Sequence, residues 1–125
     1  MSKEIAIVFG ASGFLGSHVA EALSSGGYQV RLFDRTPSHF KRSDQEMIVG
    51  DIMNLEDVTK ATQGASIVYN FAAIADIDEA NEKPLATAEI NILGNMNVLE
   101  ASRLAGVRRF IFASSVYVYS ESGSF

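Results

Sequence analysis

The sequence contains no cysteine in its 125 residues, which excludes a disulfide framework and a metal site built on thiolates. It also lacks any apolar run near the roughly 20 residues that cross a bilayer. The first apolar run, residues 5–8, is too short to be the core of a signal peptide. We therefore predict a cytoplasmic protein with no membrane-spanning segment.

Positive charge is scarce as well, because 10 Lys and Arg face 15 Asp and Glu, for a net charge of -5. Binding to a nucleic-acid backbone or to an anionic membrane normally requires a basic surface, so we expect neither partner. The two histidines, His18 and His39, lack the neighbouring ligands that a metal site requires. We therefore predict no metal.

The rest of the composition is typical of one folded domain. Apolar residues make up 47% of the chain and charged residues 20%, with 10 glycines and 2 prolines. A chain of this length can remove roughly two thirds of its unfolded surface from water, which is enough for a hydrophobic core. We expect residues 1–125 to form a single domain.

Short β-branched runs alternate along the chain with longer amphipathic segments, a pattern typical of an α/β fold with a parallel sheet and crossover helices. Asn54 is placed to cap one helix, and Pro84 suits the first turn of another. The pattern predicts helices at 14–25, 55–62 and 84–105, and strands at 4–9, 29–34, 46–49, 66–71 and 108–113.

Three glycines follow the first predicted strand, in the segment GASGFLG at residues 10–16. A strand, a glycine loop and then a helix is the order that a dinucleotide site requires. Gly10 would permit the tight turn, Gly13 the approach of backbone amides to a pyrophosphate, and Gly16 the close packing of helix on strand. The helix N-terminus would add unpaired donors and a partial positive charge. Because the spacing is GxxGxxG, unlike the common GxGxxG, turn glycines without a ligand are the alternative interpretation.

An acidic residue at the end of the second predicted strand supports the dinucleotide interpretation. Asp34 lies 18 residues after Gly16, where a carboxylate can accept hydrogen bonds from a ribose diol. Within about 4 Å of a 2′-phosphate, that carboxylate would be repelled by roughly 4 kcal/mol per charge pair at an effective dielectric near 20. We therefore predict NAD as the cofactor and regard NADP as the weaker candidate, since Arg35, Lys41 and Arg42 could offset part of the repulsion.

A series of motifs resembles the extended short-chain dehydrogenase/reductase family and, within it, the NAD-dependent nucleotide-sugar epimerases and dehydratases. The motifs are GASGFLGSH at 10–18, FDR at 33–35, GDI at 50–52, NFAA at 70–73, NILGNMNVLEA at 91–101 and RFIFASSVYVYS at 109–120. The resemblance implies a Rossmann-type doubly wound sheet with strand order 3-2-1-4-5, truncated after the fifth strand. It also implies that the complete enzyme transfers a hydride between NAD and a nucleotide sugar.

The resemblance assigns roles to individual residues as well. Those implied to contact the cofactor are Gly10, Gly13, Phe14, Leu15 and Gly16 at the pyrophosphate loop, Asp34 and Arg35 at the adenosine ribose, Asp51 and Ile52 at the adenine, Phe71, Ala72 and Ala73 beneath the cofactor, and Asn91, which would reach it from the long helix. For Ile52, a place in the hydrophobic core is an equal alternative.

Two positions in these motifs raise questions of their own. Many family members begin the NFAA motif with histidine, whereas Asn70 stands there in this chain, and its role stays open. Gly94 lies inside a predicted helix, where glycine costs about 1 kcal/mol relative to alanine. We predict that Gly94 lets this helix lie close to the sheet.

The catalytic position implied by the resemblance is Ser115, four residues before the turn tyrosine Tyr119, with Ser120 in place of the usual glycine. The family's proton-transfer pair is a tyrosine followed four residues later by a lysine. Neither Tyr117 nor Tyr119 has a lysine at that spacing. We expect a chain that binds the cofactor without turning over substrate, as the first part of a longer enzyme.

Two other functions stay open at this point. One is an NADP-dependent reductase of a non-sugar substrate, similar to the hydroxysteroid dehydrogenases or dihydroflavonol reductases. The other is a non-catalytic nucleotide sensor or interaction module that kept the glycine loop and lost the chemistry. The missing lysine is expected of such a module and of a truncated enzyme alike.

Self-association is the remaining expectation. Strand 108–113 would be an open apolar edge, which invites pairing with another chain. The helix predicted at 84–105 carries Leu85, Ile92, Met96 and Leu99 at helical spacing. In the family that the chain resembles, the corresponding helix often forms the dimer contact. We predict a homodimer or a larger assembly.

Overall fold

The structure, a computed structural model, describes residues 2–115 and 118–119. It places five strands in one sheet between helices. The elements are β1 (Ile5–Phe9), α1 (Phe14–Ser25), β2 (Gln29–Asp34), β3 (Gln45–Val49), α2 (Leu55–Thr62), β4 (Ile67–Asn70), α3 (Ile77–Glu82), α4 (Pro84–Ala88), a π-helical segment (Glu89–Gly94), α5 (Asn95–Leu104) and β5 (Arg109–Phe112).

The sheet is parallel throughout and has the order β3-β2-β1-β4-β5, which confirms the predicted topology. From β1 the chain moves outward through β2 to β3, then returns to the other side of β1 for β4 and β5. In such a sheet, ligands bind outside the carboxyl ends of the strands at the point where the strand order reverses. Here that point lies between β1 and β4.

Helices cover both faces of the sheet, so β1 is buried on both sides. Ile7 and Phe9 pack with Val58 of α2 and Val98 of α5 on one face. The alternate residues of β1 pack with α1 on the other face, in a cluster of Ala6, Val8, Ala20, Leu23, Val30 and Leu32. This double burial is the reason that the strand is a continuous apolar run in the sequence.

The predicted bounds of α1 and α2 are confirmed, and each strand lies within one residue of its predicted bounds. Asn54 caps α2 as predicted, because its side chain accepts hydrogen bonds from the amides of Glu56 at 3.0 Å and Asp57 at 3.2 Å. Pro84 lies in the first turn of α4, also as predicted.

The single helix predicted at 84–105 is wrong in its interior. The structure has α4, the π-helical segment and α5 in its place, and we call this unit the helical rod, residues 84–104. The extra helix α3 was not predicted at all, and none of its residues is buried. A helix that buries nothing has no apolar periodicity to detect. Asp76 nevertheless caps it, accepting from the amide of Glu79 at 2.8 Å.

Within the ranges that the structure describes, no helix combines the length and the apolar character needed to cross a membrane.

Candidate functional site

A groove runs along the carboxyl ends of the strands at the point where the strand order reverses. It consists of two adjoining cavities of about 230 and 430 Å³. Both are lined by the backbone at Gly10, Gly13 and residues 71–73. The first cavity extends over β2 and β3 and the second over α1 and β5, so the groove suits an elongated ligand.

Gly10 lies at the centre of the groove and has no room for a side chain. Its φ of +78° is in the left-handed region, which favours glycine. A Cβ there would lie 2.7 Å from the amide nitrogen of Ala72 and from the carbonyl carbon of Phe71. The amide of Gly10 donates to the carbonyl of Phe33 at 2.9 Å. The ends of β1, β2 and β4 therefore meet at this residue.

The N-terminus of α1 opens into the second cavity. Gly16 packs directly against the carbonyl oxygen of Gly10, which brings the helix close to the end of β1. Gly13 is the N-cap residue; no side chain caps the helix, and no acidic residue lies in its first turn. The first amides of α1 thus keep their hydrogen-bonding capacity and the positive end of the helix dipole. Phe14 and Leu15 line this cavity, with Phe14 83% exposed.

The carboxylate of Asp34 is held at the rim of the first cavity. One oxygen accepts from the amide of Ser12 at 2.9 Å, and the other accepts from the amide of Arg35 at 2.7 Å. The hydroxyl of Ser12 in turn donates to the carbonyl of Thr36 at 2.6 Å. Each carboxylate oxygen can accept a further hydrogen bond, so the group is oriented and still able to bind a diol.

The segment after β3 forms the far wall of the first cavity. Asp51 accepts a hydrogen bond from the amide of Met53 at 2.9 Å. Ile52 is part of the hydrophobic core, at 6% exposed, which confirms that interpretation, and it also lines the cavity; its contact with an adenine stays a prediction. The prediction for Gly94 needs correction, because a Cβ there would meet the Ile52 side chain, 2.5 Å from Cδ1. This glycine makes room for Ile52.

The segment after β4 forms the floor of the groove, with Phe71, Ala72 and Ala73 lining both cavities. Asn91, which was expected to reach the cofactor, has both ends of its amide bound to Ile74. Its Oδ1 accepts from the Ile74 amide at 2.8 Å, and its Nδ2 donates to the Ile74 carbonyl at 3.0 Å. In this structure Asn91 fixes the loop that lines the groove.

Ser115 stands apart from the residues that the groove brings together. It follows β5 and is exposed, and the described lining of the second cavity reaches Ser114. Tyr119 is 51% exposed. Tyr117 and Ser120, which belong to the same predicted motif, lie outside the described residues.

Sequence reasoning missed four residues that line the first cavity, namely Phe33, Gly50, Ile74 and Ile90. For Gly50 a signal was available, because it directly follows β3 as Gly10 follows β1. A Cβ at Gly50 would lie 2.7 Å from Cζ of Phe33. The other residues are apolar, and neither their type nor their spacing separates them from the core.

Several exposed ion pairs outside the groove shift the pKa values of their members. The hydrogen bond from Lys60 lowers the pKa of Glu56, and the one from Arg103 lowers the pKa of Glu100. Glu4 raises the pKa of Arg108 at the opposite end of the sheet. Exposed pairs of this kind contribute little to stability, and none of these side chains lines the two cavities.

Comparisons with known proteins agree with this geometry. The family model for the NAD dependent epimerase/dehydratase family matches residues 6–124. A 3-beta-hydroxysteroid dehydrogenase of Mycolicibacterium neoaurum is 35% identical over 114 residues, covering 87% of this chain and 31% of its own length. A UDP-glucose 4-epimerase of Klebsiella pneumoniae is 32% identical over 127 residues, covering 92% of this chain and 91% of its own length.

Among solved structures, the Thermus thermophilus UDP-glucose 4-epimerase in complex with NAD matches with a TM-score of 0.85 at 29% identity. The match covers 96% of this chain and 41% of that one. The chain spans about a third of the length of most of the curated relatives that it matches.

Proposed function

The chain belongs to the NAD-dependent epimerase/dehydratase family, and on this basis we propose that residues 1–125 form one Rossmann domain that binds NAD. The contact between Gly10 and the Phe71–Ala72 backbone carries the proposal, because it brings the ends of β1 and β4 within backbone contact at the point where the strand order reverses. A dinucleotide that lies across this point needs such close backbone approach.

The proposed contacts follow from the shape of the groove. The open first turn of α1, at Phe14 and Leu15, would bind the pyrophosphate through backbone amides. Asp34, whose carboxylate is already oriented, would accept hydrogen bonds from the adenosine ribose. Asp51 and Ile52 would border the adenine. When bound, NAD supplies a carbon that accepts a hydride and later returns it.

The surroundings of Asp34 favour NAD over NADP. Among the residues that the structure describes, two of the three basic residues that could offset repulsion of a 2′-phosphate have other partners, and Arg35 is the exception. The Arg42 guanidinium lies 3.1 Å from the Asp44 carboxylate, and the Lys41 ammonium donates to the Arg42 carbonyl at 3.2 Å. Arg35 is exposed beside Asp34 and is the basic residue closest to it in sequence.

Calorimetric titration with NAD and NADP tests this proposal. We expect NAD to bind at least about tenfold more tightly than NADP. This ratio requires only a modest part of the roughly 4 kcal/mol by which two like charges about 4 Å apart repel each other. The variant Asp34→Asn keeps the shape of the side chain and removes its charge. It should weaken NAD binding and strengthen NADP binding, so the two dissociation constants should become more similar. Equal or tighter binding of NADP by the unaltered chain would overturn the preference.

For the substrate of the complete enzyme, we propose a nucleotide sugar. Support comes from the Klebsiella pneumoniae relative, a UDP-glucose 4-epimerase that matches 92% of this chain. A hydroxysteroid is the second candidate, because the Mycolicibacterium neoaurum relative is a 3-beta-hydroxysteroid dehydrogenase of similar identity. Two assays on a polypeptide that contains this chain distinguish the two: inversion of UDP-glucose at C4 without net NADH formation supports the nucleotide sugar, and net NADH formation with a 3β-hydroxysteroid supports the steroid.

The proposed role of the 125-residue chain itself is cofactor binding without turnover. No tyrosine in the sequence is followed four residues later by a lysine. We assign Ser115 the hydroxyl that would face the reacting sugar oxygen, a role that rests on the family resemblance alone. A cytoplasmic location also stays a prediction.

Self-association through the helical rod is a further part of the proposal. Its apolar residues are exposed to different degrees: Leu85 is 81% exposed, Ile92 61%, Met96 58% and Leu99 39%. At the edge of the sheet, β5 also exposes Phe112, at 56%. Single exposed apolar residues are ordinary, whereas several grouped on one surface are typical of an interface. We call the four residues of the helical rod the exposed row. We propose a homodimer that buries this row.

A further inference from the structure

Asn70 and Asn95 form a partly buried amide pair, and we propose that this pair positions the backbone beneath the cofactor. Asn70 is the last residue of β4 and is 2% exposed. Its Nδ2 donates to Oδ1 of Asn95, the first residue of α5, at 2.8 Å. Its Oδ1 accepts from the amide of Ala72 at 3.1 Å. The inference rests on the proposed NAD site.

The two contacts of Asn70 use both the donor and the acceptor of its amide. The Ala72 amide can only donate, so the oxygen of Asn70 must face it and the NH2 group must face Asn95. With Asn95 in its present orientation, a carboxylate could satisfy the first contact and not the second, and an apolar side chain could satisfy neither. An unpaired polar group buried as deeply as Asn70 costs folding free energy. Each of the two contacts therefore keeps the Asn70 amide in the orientation that the other contact needs.

The atom that Asn70 holds lies at a crowded point of the groove. The amide nitrogen of Ala72 is one of the two atoms that a Cβ at Gly10 would meet at 2.7 Å. Just before it, the amide of Phe71 donates to the carbonyl of Phe9 at 2.9 Å. A shift of Ala72 would therefore move the groove floor against the glycine loop. Because Asn70 holds the Ala72 backbone in place before NAD binds, less conformational entropy is lost on binding.

Asn95 is one of three asparagines through which the helical rod contacts the groove loops. Asn91 binds the backbone of Ile74, and Asn97 donates to the carbonyl of Ile52 at 2.8 Å. Unlike these two, Asn95 acts on the groove through a second side chain. A substitution of Asn95 should therefore not change the affinity for NAD in a chain that already lacks the Asn70 side chain.

Two substitutions of Asn95 test the pair. Asn95→Leu removes the acceptor, and we expect it to weaken NAD binding roughly three- to tenfold, the factor that one lost hydrogen bond gives. Asn95→Asp keeps an oxygen for the NH2 group of Asn70 and should bind NAD within about twofold of the unaltered chain. Calorimetry gives the Kd, and the melting temperature without ligand gives the stability of each variant.

Ser102→Ala serves as the stability control. Ser102 lies on the same helix, is 5% exposed, and donates to the carbonyl of Val98 at 2.7 Å, away from the groove. It should lower the melting temperature and leave the Kd unchanged. In addition, Asn70→Ala combined with Asn95→Leu should bind NAD no more weakly than Asn70→Ala alone.

Different results contradict this inference and the proposed NAD binding on which it rests. If Asn95→Leu lowers the melting temperature as Ser102→Ala does and leaves the Kd unchanged, the pair is only structural and the inference is wrong. Equal weakening by Asn95→Leu and Asn95→Asp would also overturn it. If the unaltered chain binds no NAD, the proposed function itself fails.

Discussion

At the scale of single residues, Gly10 and Gly27 share a left-handed backbone and differ in their surroundings. Their φ angles are +78° and +94°. A Cβ at Gly10 would meet the backbone of the loop after β4 at 2.7 Å, whereas a Cβ at Gly27 would meet nothing within 4 Å. The two positions therefore separate the cost of the backbone conformation from the cost of losing close approach.

We predict that Gly27→Ala destabilises the fold by about 1–2 kcal/mol, the cost of a left-handed alanine, and leaves NAD binding intact. Gly10→Ala adds a backbone collision in the groove, so it should destabilise the fold more and abolish NAD binding. Urea unfolding and calorimetry on both variants check this. A Gly10→Ala variant that binds NAD as the unaltered chain does would show that the backbone contact is not needed.

Residue types and spacing were enough to predict Gly10, Gly13 and Asp34 as lining residues, because Gly10 directly follows β1, Gly13 opens α1 and Asp34 ends β2. The partner of a side chain depends on which loops meet in space. For this reason the sequence could not show that Asn91 is occupied by Ile74, or that Asn70 pairs with Asn95.

At the scale of elements, the packing of the helical rod on the groove depends on Gly94. Its φ of -59° is ordinary for a helix, so alanine would fit the backbone and would be favoured there by about 1 kcal/mol. The obstacle is Ile52, whose Cδ1 lies 2.5 Å and Cγ1 2.9 Å from the position of a Cβ. Packing and helix propensity thus oppose each other at this residue.

We therefore predict that Gly94→Ala destabilises the unaltered chain but not a chain that carries Ile52→Ala. In that background the collision is absent, and the alanine should be neutral or stabilising by up to about 1 kcal/mol. Chemical unfolding of the unaltered chain, the two single variants and the double variant gives the coupling free energy between Ile52 and Gly94. Equal destabilisation by Gly94→Ala in both backgrounds would show that Ile52 is not the residue it meets.

The elements that the sequence predicts well have chemical signals at their ends. Gly13 and Asn54 begin α1 and α2, and the bounds of both helices were predicted correctly. The π-helical segment was not predicted, because a local change in helical pitch leaves no distinct signal in the pattern of apolar residues. It borders the groove through Ile90, and π segments of this kind are frequent at functional sites.

At the scale of the whole molecule, strand order and groove position could both be predicted. Alternating strands and helices predict a parallel sheet but leave several topologies open, and it was the family resemblance that implied the order 3-2-1-4-5 that the structure confirms. The reversal of strand order then places the groove. The position of residues 113–115, after β5, could not be predicted in this way, because it depends on contacts made at the edge of the sheet.

The proposed homodimer gives a prediction at this scale. Met96→Glu places a charge in the exposed row of the helical rod and should shift the chain from dimer to monomer in sedimentation velocity at tens of micromolar. Val49→Glu is a matched control, since Val49 is 57% exposed against 58% for Met96 and lies on the opposite edge strand. An unaltered chain that sediments only as a monomer would contradict the proposal.

NMR titration of the chain with NAD shows residue by residue whether the groove between β1 and β4 binds the dinucleotide. We predict that the backbone amide signals of residues 10–15, 34–35, 51–52 and 71–73 shift together and saturate. Those at the opposite end of the sheet, such as Gly64 and Arg108, should stay in place. Shifts confined to that end, or no shifts at millimolar NAD, would contradict the account.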